Sequence, residues 1–167
     1  MGEIGEFALR AALIGIGATA VMDVWAIVQR RLFAIPSLNY SMVGRWIGHL
    51  PSGRFIHKSI ANSPPVRREL IIGWGAHYAI GIIFAALLLA ICGPQWAGKP
   101  TLLPALVFGI ASVGAPFLIL QPGMGAGIAA ANTPNPNTAR LRSLVAHLSF
   151  GIGLYLSALV WAVLLRY

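Results

Sequence analysis

Asp23, His77 and His147 are ionisable side chains that stand inside long apolar runs of this sequence. Such groups are costly in hydrocarbon and usually face a bundle interior or a wet cavity, so these are the positions where chemistry is expected. Two imidazoles can ligate a haem iron axially. With Asp23 as orienter or third ligand, they can instead hold a bare transition metal. An acid near an imidazole has coupled titration and can relay protons. An Asp hydrogen-bonded to a His on another helix can also lock helix register with no ligand. The residue types leave these readings open. Spacing adds that each group lies on a face of small residues, the kind along which membrane helices approach closely. Gly15, Thr19 and Asp23 form one stripe, Gly73, His77 and Gly81 a second, and Ser143, His147, Gly151 and Tyr155 a third. All three groups are therefore expected to point inward. His77-x-x-x-Gly81-Ile82 and His147-x-x-x-Gly151-Ile152 echo one another, with too few identities to make a repeat.

The elements that must position these residues follow from composition. The chain has 167 residues, 57% of them hydrophobic and 10% charged, which nearly excludes a soluble fold of this size. Four runs are long enough to cross a hydrocarbon layer of about 30 Å: 7–29, 70–92, 102–120 and 144–165. The expected architecture is all-α, a single transmembrane four-helix bundle over 1–167 with loops at 30–69 and 121–143. Pro104 and Pro116 should bend the third span. Glu3 and Glu6 stand where a cleaved signal peptide would be basic, and Glu6 occupies a position where a myristoylation signal wants Ser or Thr; neither modification is expected. Cys92, the lone cysteine, can form neither an internal disulfide nor a thiolate cluster.

Lys and Arg set the direction of the spans. Arg30, Arg31, Arg45, Arg54, Lys58, Arg67 and Arg68 lie between spans one and two, and Arg140 and Arg142 between spans three and four; only Arg10, Lys99 and Arg166 lie on the other side. This predicts a bacterial inner-membrane protein with both termini outside and a basic cytoplasmic collar facing anionic lipid headgroups. The net charge of +8 is thus a lipid and topology signal, with no groove-like alternation of aromatic and basic residues that would suit nucleic acid. In the long loop, Ser41 is expected to cap a short surface helix carrying Val43, Trp46, Ile47 and Leu50, ended by Pro51. A second surface turn or helix is expected over Phe55–Ile60, and Asn62 to Pro65 stops it. His49 and His57 read as interfacial polar residues and not as ligands.

In an up-down-up-down bundle, spans two and four share a diagonal of roughly 11 to 14 Å, given neighbouring axes about 8 to 10 Å apart. That separation suits two imidazoles meeting a shared object, such as haem b or a transition metal. The glycine one turn beyond each His would leave flat space for a porphyrin. Arg140, with Arg67, Arg68 and Arg142, could pair with propionates. Gly123 to Gly127 reads as a flexible helix exit, and Asn132 to Asn137 as a turn-rich connector whose Asn side chains hold Arg140. Gly15-Ile16-Gly17-Ala18-Thr19-Ala20 imitates a dinucleotide motif, but no strand precedes it. No Ser-His-Asp spacing, histidine box, paired carboxylates or P-loop is present, so the sequence offers no catalytic motif.

Met22-Asp23-Val24-Trp25, Gly75-Ala76-His77-Tyr78, Thr133-Pro134-Asn135-Pro136 with Arg140 and His147, and Gly151-Ile152-Gly153-Leu154-Tyr155 together resemble a bacterial inner-membrane family known as a domain of unknown function. The resemblance covers nearly the whole chain. It implies the four-span fold and marks Asp23, Trp25, His77, Tyr78, Asn135, Arg140 and His147, while implying no substrate. The leading expectation is a small binding or electron-transfer component with haem or metal on His77 and His147. A small transporter or proton-linked channel subunit and a ligand-free assembly factor are the alternatives. Gly- and Ala-lined faces make a homo-oligomer or larger membrane complex a further expectation.

Overall fold

The computed structural model describes residues 2–164. They are helical with no strand among them. Four helices are long and apolar enough to cross a membrane: Glu3–Phe33, Glu69–Cys92, Leu102–Met124 and Pro136–Leu164. The chain is therefore an all-α, multi-pass membrane protein. The expected end of the fourth span at Leu165, together with Arg166, lies outside the described residues.

Helix α1 (Glu3–Phe33) has Glu3 and Glu6 in its first turn and Arg30 and Arg31 in its last, charges that complement the helix dipole. It extends past both ends of the expected span because these charged turns stay helical outside the apolar run. The surface helix α2 (Tyr40–His49) is capped by Asn39, whose side chain accepts from the Ser41 N–H. The expected cap at Ser41 is thus two residues late, because Asn39 already supplies the oxygen that the first turn needs. The stretch Phe55–Ser59, expected as a turn or helix, has no regular secondary structure, and the short 3-10 turn falls at Ile60–Asn62. Helix α3 (Glu69–Cys92) is continuous.

The third span is broken. Helix α4 (Leu102–Ala111) includes Pro104 without interruption, because Pro104 occupies the first turn, where its missing N–H would have had no intrahelical partner. Pro116 does disrupt the span, opening a π segment over Pro116–Leu120 before α5 (Gln121–Met124). Gly125, at φ 94°, closes α5, so Gly123 to Gly127 is a helix exit as expected. Helix α6 (Pro136–Leu164) begins with Pro136 at its first position, the place a proline fits. Its first two turns carry Arg140 and Arg142 ahead of the apolar run.

The chain divides into two compact units. The first comprises the chain through Ser37, Tyr78–Ser112 and the chain from Val145; the second comprises Leu38–His77 and Val113–Leu144. The first unit is a four-helix bundle. Ile14 and Ala18 of α1, Leu88 and Leu89 of α3, Ala105 of α4, and Phe150 and Leu154 of α6 form its core. Phe84 meets Phe108 and Phe150 edge-on, with centroids 6.1 and 6.2 Å apart. Helices α4 and α6 cross so closely that a Cβ on Gly109 would stand 2.5 Å from Gly151 Cα.

The second unit is built around α2 lying on the start of α3. Arg45 binds Glu69 through Nε and Nη2, each at 2.9 Å, and Arg45 Nη1 reaches the carbonyls of Ile60, Ala61 and Ser63. Planar guanidinium geometry permits this two-sided grip. The Glu69 hydrogen bonds push Arg45 above its ordinary value; burial opposes this, and charge attraction adds less. The expected Asn hold on Arg140 is present at Asn137, and Arg140 Nε also binds the Ala129 carbonyl at 2.8 Å.

That carbonyl belongs to a strained turn, with Ala129 and Ala130 at φ 48° and 61°, a left-handed conformation that alanine adopts at a cost. Ala129→Gly should raise stability by about 0.5–1 kcal/mol, since relief of strain exceeds the added chain entropy. A thermal melt in detergent reads the shift; a lower Tm would contradict the strain.

Candidate functional site

Each intramembrane ionisable group expected to do chemistry is hydrogen-bonded to a hydroxyl. In the first unit, Tyr78 Oη donates to Asp23 Oδ2 at 2.9 Å. Helix α1 supplies the acid and α3 the phenol. Gly15 and Thr19 of the Asp23 stripe pack against α3 at Ile82 and Gly81, bringing these faces together. The pair survives a change of protonation: an ionised Asp23 accepts from Tyr78, and a protonated one has an O–H of its own to donate back.

Also in the first unit, His147 Nδ1 lies 2.7 Å from Ser112 Oγ. The Ser112 hydroxyl proton is directed to the Gly109 carbonyl at 2.6 Å. Having only one proton, Ser112 therefore accepts from His147 Nδ1–H, which assigns the tautomer of the neutral ring. In that tautomer the ring's one in-plane lone pair is on Nε2.

In the second unit, Tyr40 Oη lies 3.0 Å from His77 Nε2. The Tyr40 and His77 ring centroids are 4.6 Å apart, and Trp74 stacks near Tyr40 at 4.2 Å. Gly73, one turn before His77, packs on Tyr40 and Gly44 of α2. The stripe Gly73, His77, Gly81 therefore meets two different helices: its start faces α2 and its end faces α1.

Arg140 is engaged by its own turn. Among the described residues, no group of three or more His, Cys, Asp or Glu side chains is arranged to hold a metal ion. The porphyrin space expected beside the two glycines is filled. A Cβ on Gly81 would run into Thr19 Oγ1, and one on Gly151 would stand 2.8 Å from the Ala105 carbonyl oxygen. Both glycines are used for helix packing.

His49 and His57, expected as interfacial polar residues, form a stacked pair with Nδ1 and Nε2 2.9 Å apart and centroids at 5.0 Å. His57 Nδ1 is 3.1 Å from the Gly123 carbonyl, which also accepts from the His57 N–H at 2.9 Å. Facing a carbonyl, Nδ1 must carry its proton, so the neutral pair has His49 donating to His57. Together these bonds pin the loop to the end of the third span. His57→Ala removes two side-chain bonds, each worth about 1 kcal/mol. Trypsin should then cut after Arg54 and Lys58 about thirtyfold faster; an unchanged rate would mean that the pair does not hold the loop.

Tyr40, Ser112, and the pairs Arg45–Glu69 and His49–His57 were not legible from hydropathy. One signal was present: Glu69 is the sole acid beside a stretch from 30 to 68 with seven cations and no Asp or Glu, which marks it for an ion pair.

A family model described as Protein of unknown function (DUF2938) matches residues 12–161, a range that contains every residue discussed in this site. No curated protein and no solved structure matches the chain.

Proposed function

The chain belongs to the DUF2938 family, and from that premise we propose that it is a small proton-handling component of a bacterial inner membrane, working in proton-linked transport. The observation that carries this reading is the Asp23–Tyr78 bond within the spanning helices. A carboxyl in hydrocarbon is tolerated when it has a purpose and a partner. A phenol that can donate and accept is the partner a mobile proton needs. Helix α3 carries Tyr78 next to His77, so hydroxyl-bonded groups occupy consecutive positions on one helix.

In this reading the basic loops face the cytoplasm, by the excess of Lys and Arg there. Asp23 takes up a proton and becomes neutral; release regenerates the carboxylate and the Tyr78 donor bond. His77 with Tyr40 and His147 with Ser112 offer further exchange positions. A haem between His77 and His147 is less well supported, since Thr19 and Ala105 take up the flat spaces it would use and His77 Nε2 is paired with Tyr40.

Reconstitution into vesicles containing a trapped pH dye tests the proposal, with a potassium diffusion potential driving protons inward. Faster acidification than in protein-free vesicles is expected, and an equal rate would refute proton handling. An absorption spectrum of the same preparation is expected to be featureless in the visible. A Soret band lost in His77→Ala and His147→Ala would replace the proposal with a cofactor site.

A further inference from the structure

Within the second unit, α2, the loop that follows it and the π segment of the third span enclose an open apolar groove of about 290 Å³. Trp46 and Leu50 of α2, Phe55 and Ile56 of the loop, and Leu118 and Ile119 of the π segment line it. Its walls are fixed. Trp46 Nε1 donates to the Phe55 carbonyl at 2.9 Å, and the His57–Gly123 bonds hold the next loop residues against the helix end. Yet Phe55, Ile56, Leu118 and Ile119 remain exposed, an apolar surface of the kind that marks a binding groove.

The charges that flank two of its lining residues in the chain select its occupant. Exposed Arg54 and Lys58 bracket Phe55 and Ile56 in the chain, and the whole stretch from 30 to 68 has no acidic residue. Glu69, the nearest acid in sequence, is taken up by Arg45. Nothing there would pair with a choline or ethanolamine cation, whereas a guanidinium and an ammonium suit a phosphate whose negative charge is uncompensated.

We propose that this groove binds one acidic phospholipid, its acyl chain lying along Trp46, Phe55 and Ile119 and its headgroup phosphate at Arg54 and Lys58. The site does not depend on the proton-handling reading. The bound lipid covers the apolar walls and bridges the loop to the third span, which makes the Pro116 break the place where membrane composition acts on the protein.

The test is native mass spectrometry of the detergent-solubilised chain titrated with dioleoyl phosphatidylglycerol or dioleoyl phosphatidylcholine. One phosphatidylglycerol per chain is expected, retained about tenfold more tightly than phosphatidylcholine. Arg54→Ala with Lys58→Ala should reduce it to the phosphatidylcholine level. Ile119→Trp, which fills the groove with the cations intact, should weaken both lipids. Glycerol phosphate should fail to displace the lipid, because it lacks the acyl chain. Equal retention of the two lipids, a preference that survives both variants, displacement by glycerol phosphate, or a groove closed by a second copy of the chain would each overturn the proposal.

Discussion

Asp23→Asn should reduce proton entry into vesicles by about tenfold or more, towards the protein-free rate, because the substitution keeps shape and hydrogen bonding while removing the group that gains and loses the proton. The asparagine amide can still accept from Tyr78 through its oxygen, so the bond at 2.9 Å need not be lost and the bundle need not loosen. Tyr78→Phe removes the other half. A hydrogen bond to a charged group is worth about 1.5–3 kcal/mol, so this variant should also lose about tenfold in rate while the Asp23 carboxyl is still present. A thermal melt separates function from folding: Asp23→Asn is expected to melt close to the parent. If the rate is unchanged and only the Tm falls, Asp23 is structural glue, which is the ligand-free alternative.

The second large effect lies at the contact of α2 with α3. A Cβ added to Gly44 would run into the Glu69 carbonyl oxygen and stand 2.7 Å from the Gly73 N. These are backbone atoms that cannot rotate away. Gly44→Ala must lift α2, and with it the Arg45–Glu69 grip and the Tyr40–His77 bond, which belong to the same contact. A destabilisation near the upper end of about 1–3 kcal/mol is expected. Gly75→Ala, on the facing helix α3, is the control: a Cβ there meets nothing within 4 Å, and replacing a helical glycine should stabilise by about 0.5–1 kcal/mol. Melting curves of the two variants should therefore move in opposite directions. A shared direction would mean that helix propensity, and not the close approach, sets the response.

What hydropathy made legible was the part the membrane enforces. Spans 70–92 and 102–120 match α3 and the start of the third span closely, because an apolar run in hydrocarbon must be helical to satisfy its backbone. The charged ends were less legible. Arg140 and Arg142 mark the edge of the apolar run, but Pro136 sets the helix start, and a proline at the first turn is a local signal that hydropathy ignores. Pro104 and Pro116 look alike in the sequence; only their distance from the helix start separates a tolerated proline from a disruptive one.

The candidate site was half visible. Asp23, His77 and His147 stood out because ionisable groups in apolar runs are costly, and the stripe of Gly15 and Thr19 does lead Asp23 to α3. Of their partners only Tyr78 was marked, and by the family resemblance. Tyr40 and Ser112 are unremarkable residue types in such a chain, and pairing across helices depends on rotation about each axis, which small-residue spacing sets only loosely. The glycines near the histidines were ambiguous for the same reason: a missing side chain suits a flat cofactor or a neighbouring helix equally well, and here it is the helix.

The most direct measurement of the proton-handling account is pH-jump infrared difference spectroscopy of the reconstituted protein, compared with Asp23→Asn and Tyr78→Phe. The account predicts a carboxyl C=O band that appears on acidification, is absent from Asp23→Asn, and shifts in frequency in Tyr78→Phe, where the phenol bond is gone. If no Asp23-dependent band appears over the pH range in which vesicle acidification changes, Asp23 does not carry the proton and the account is contradicted.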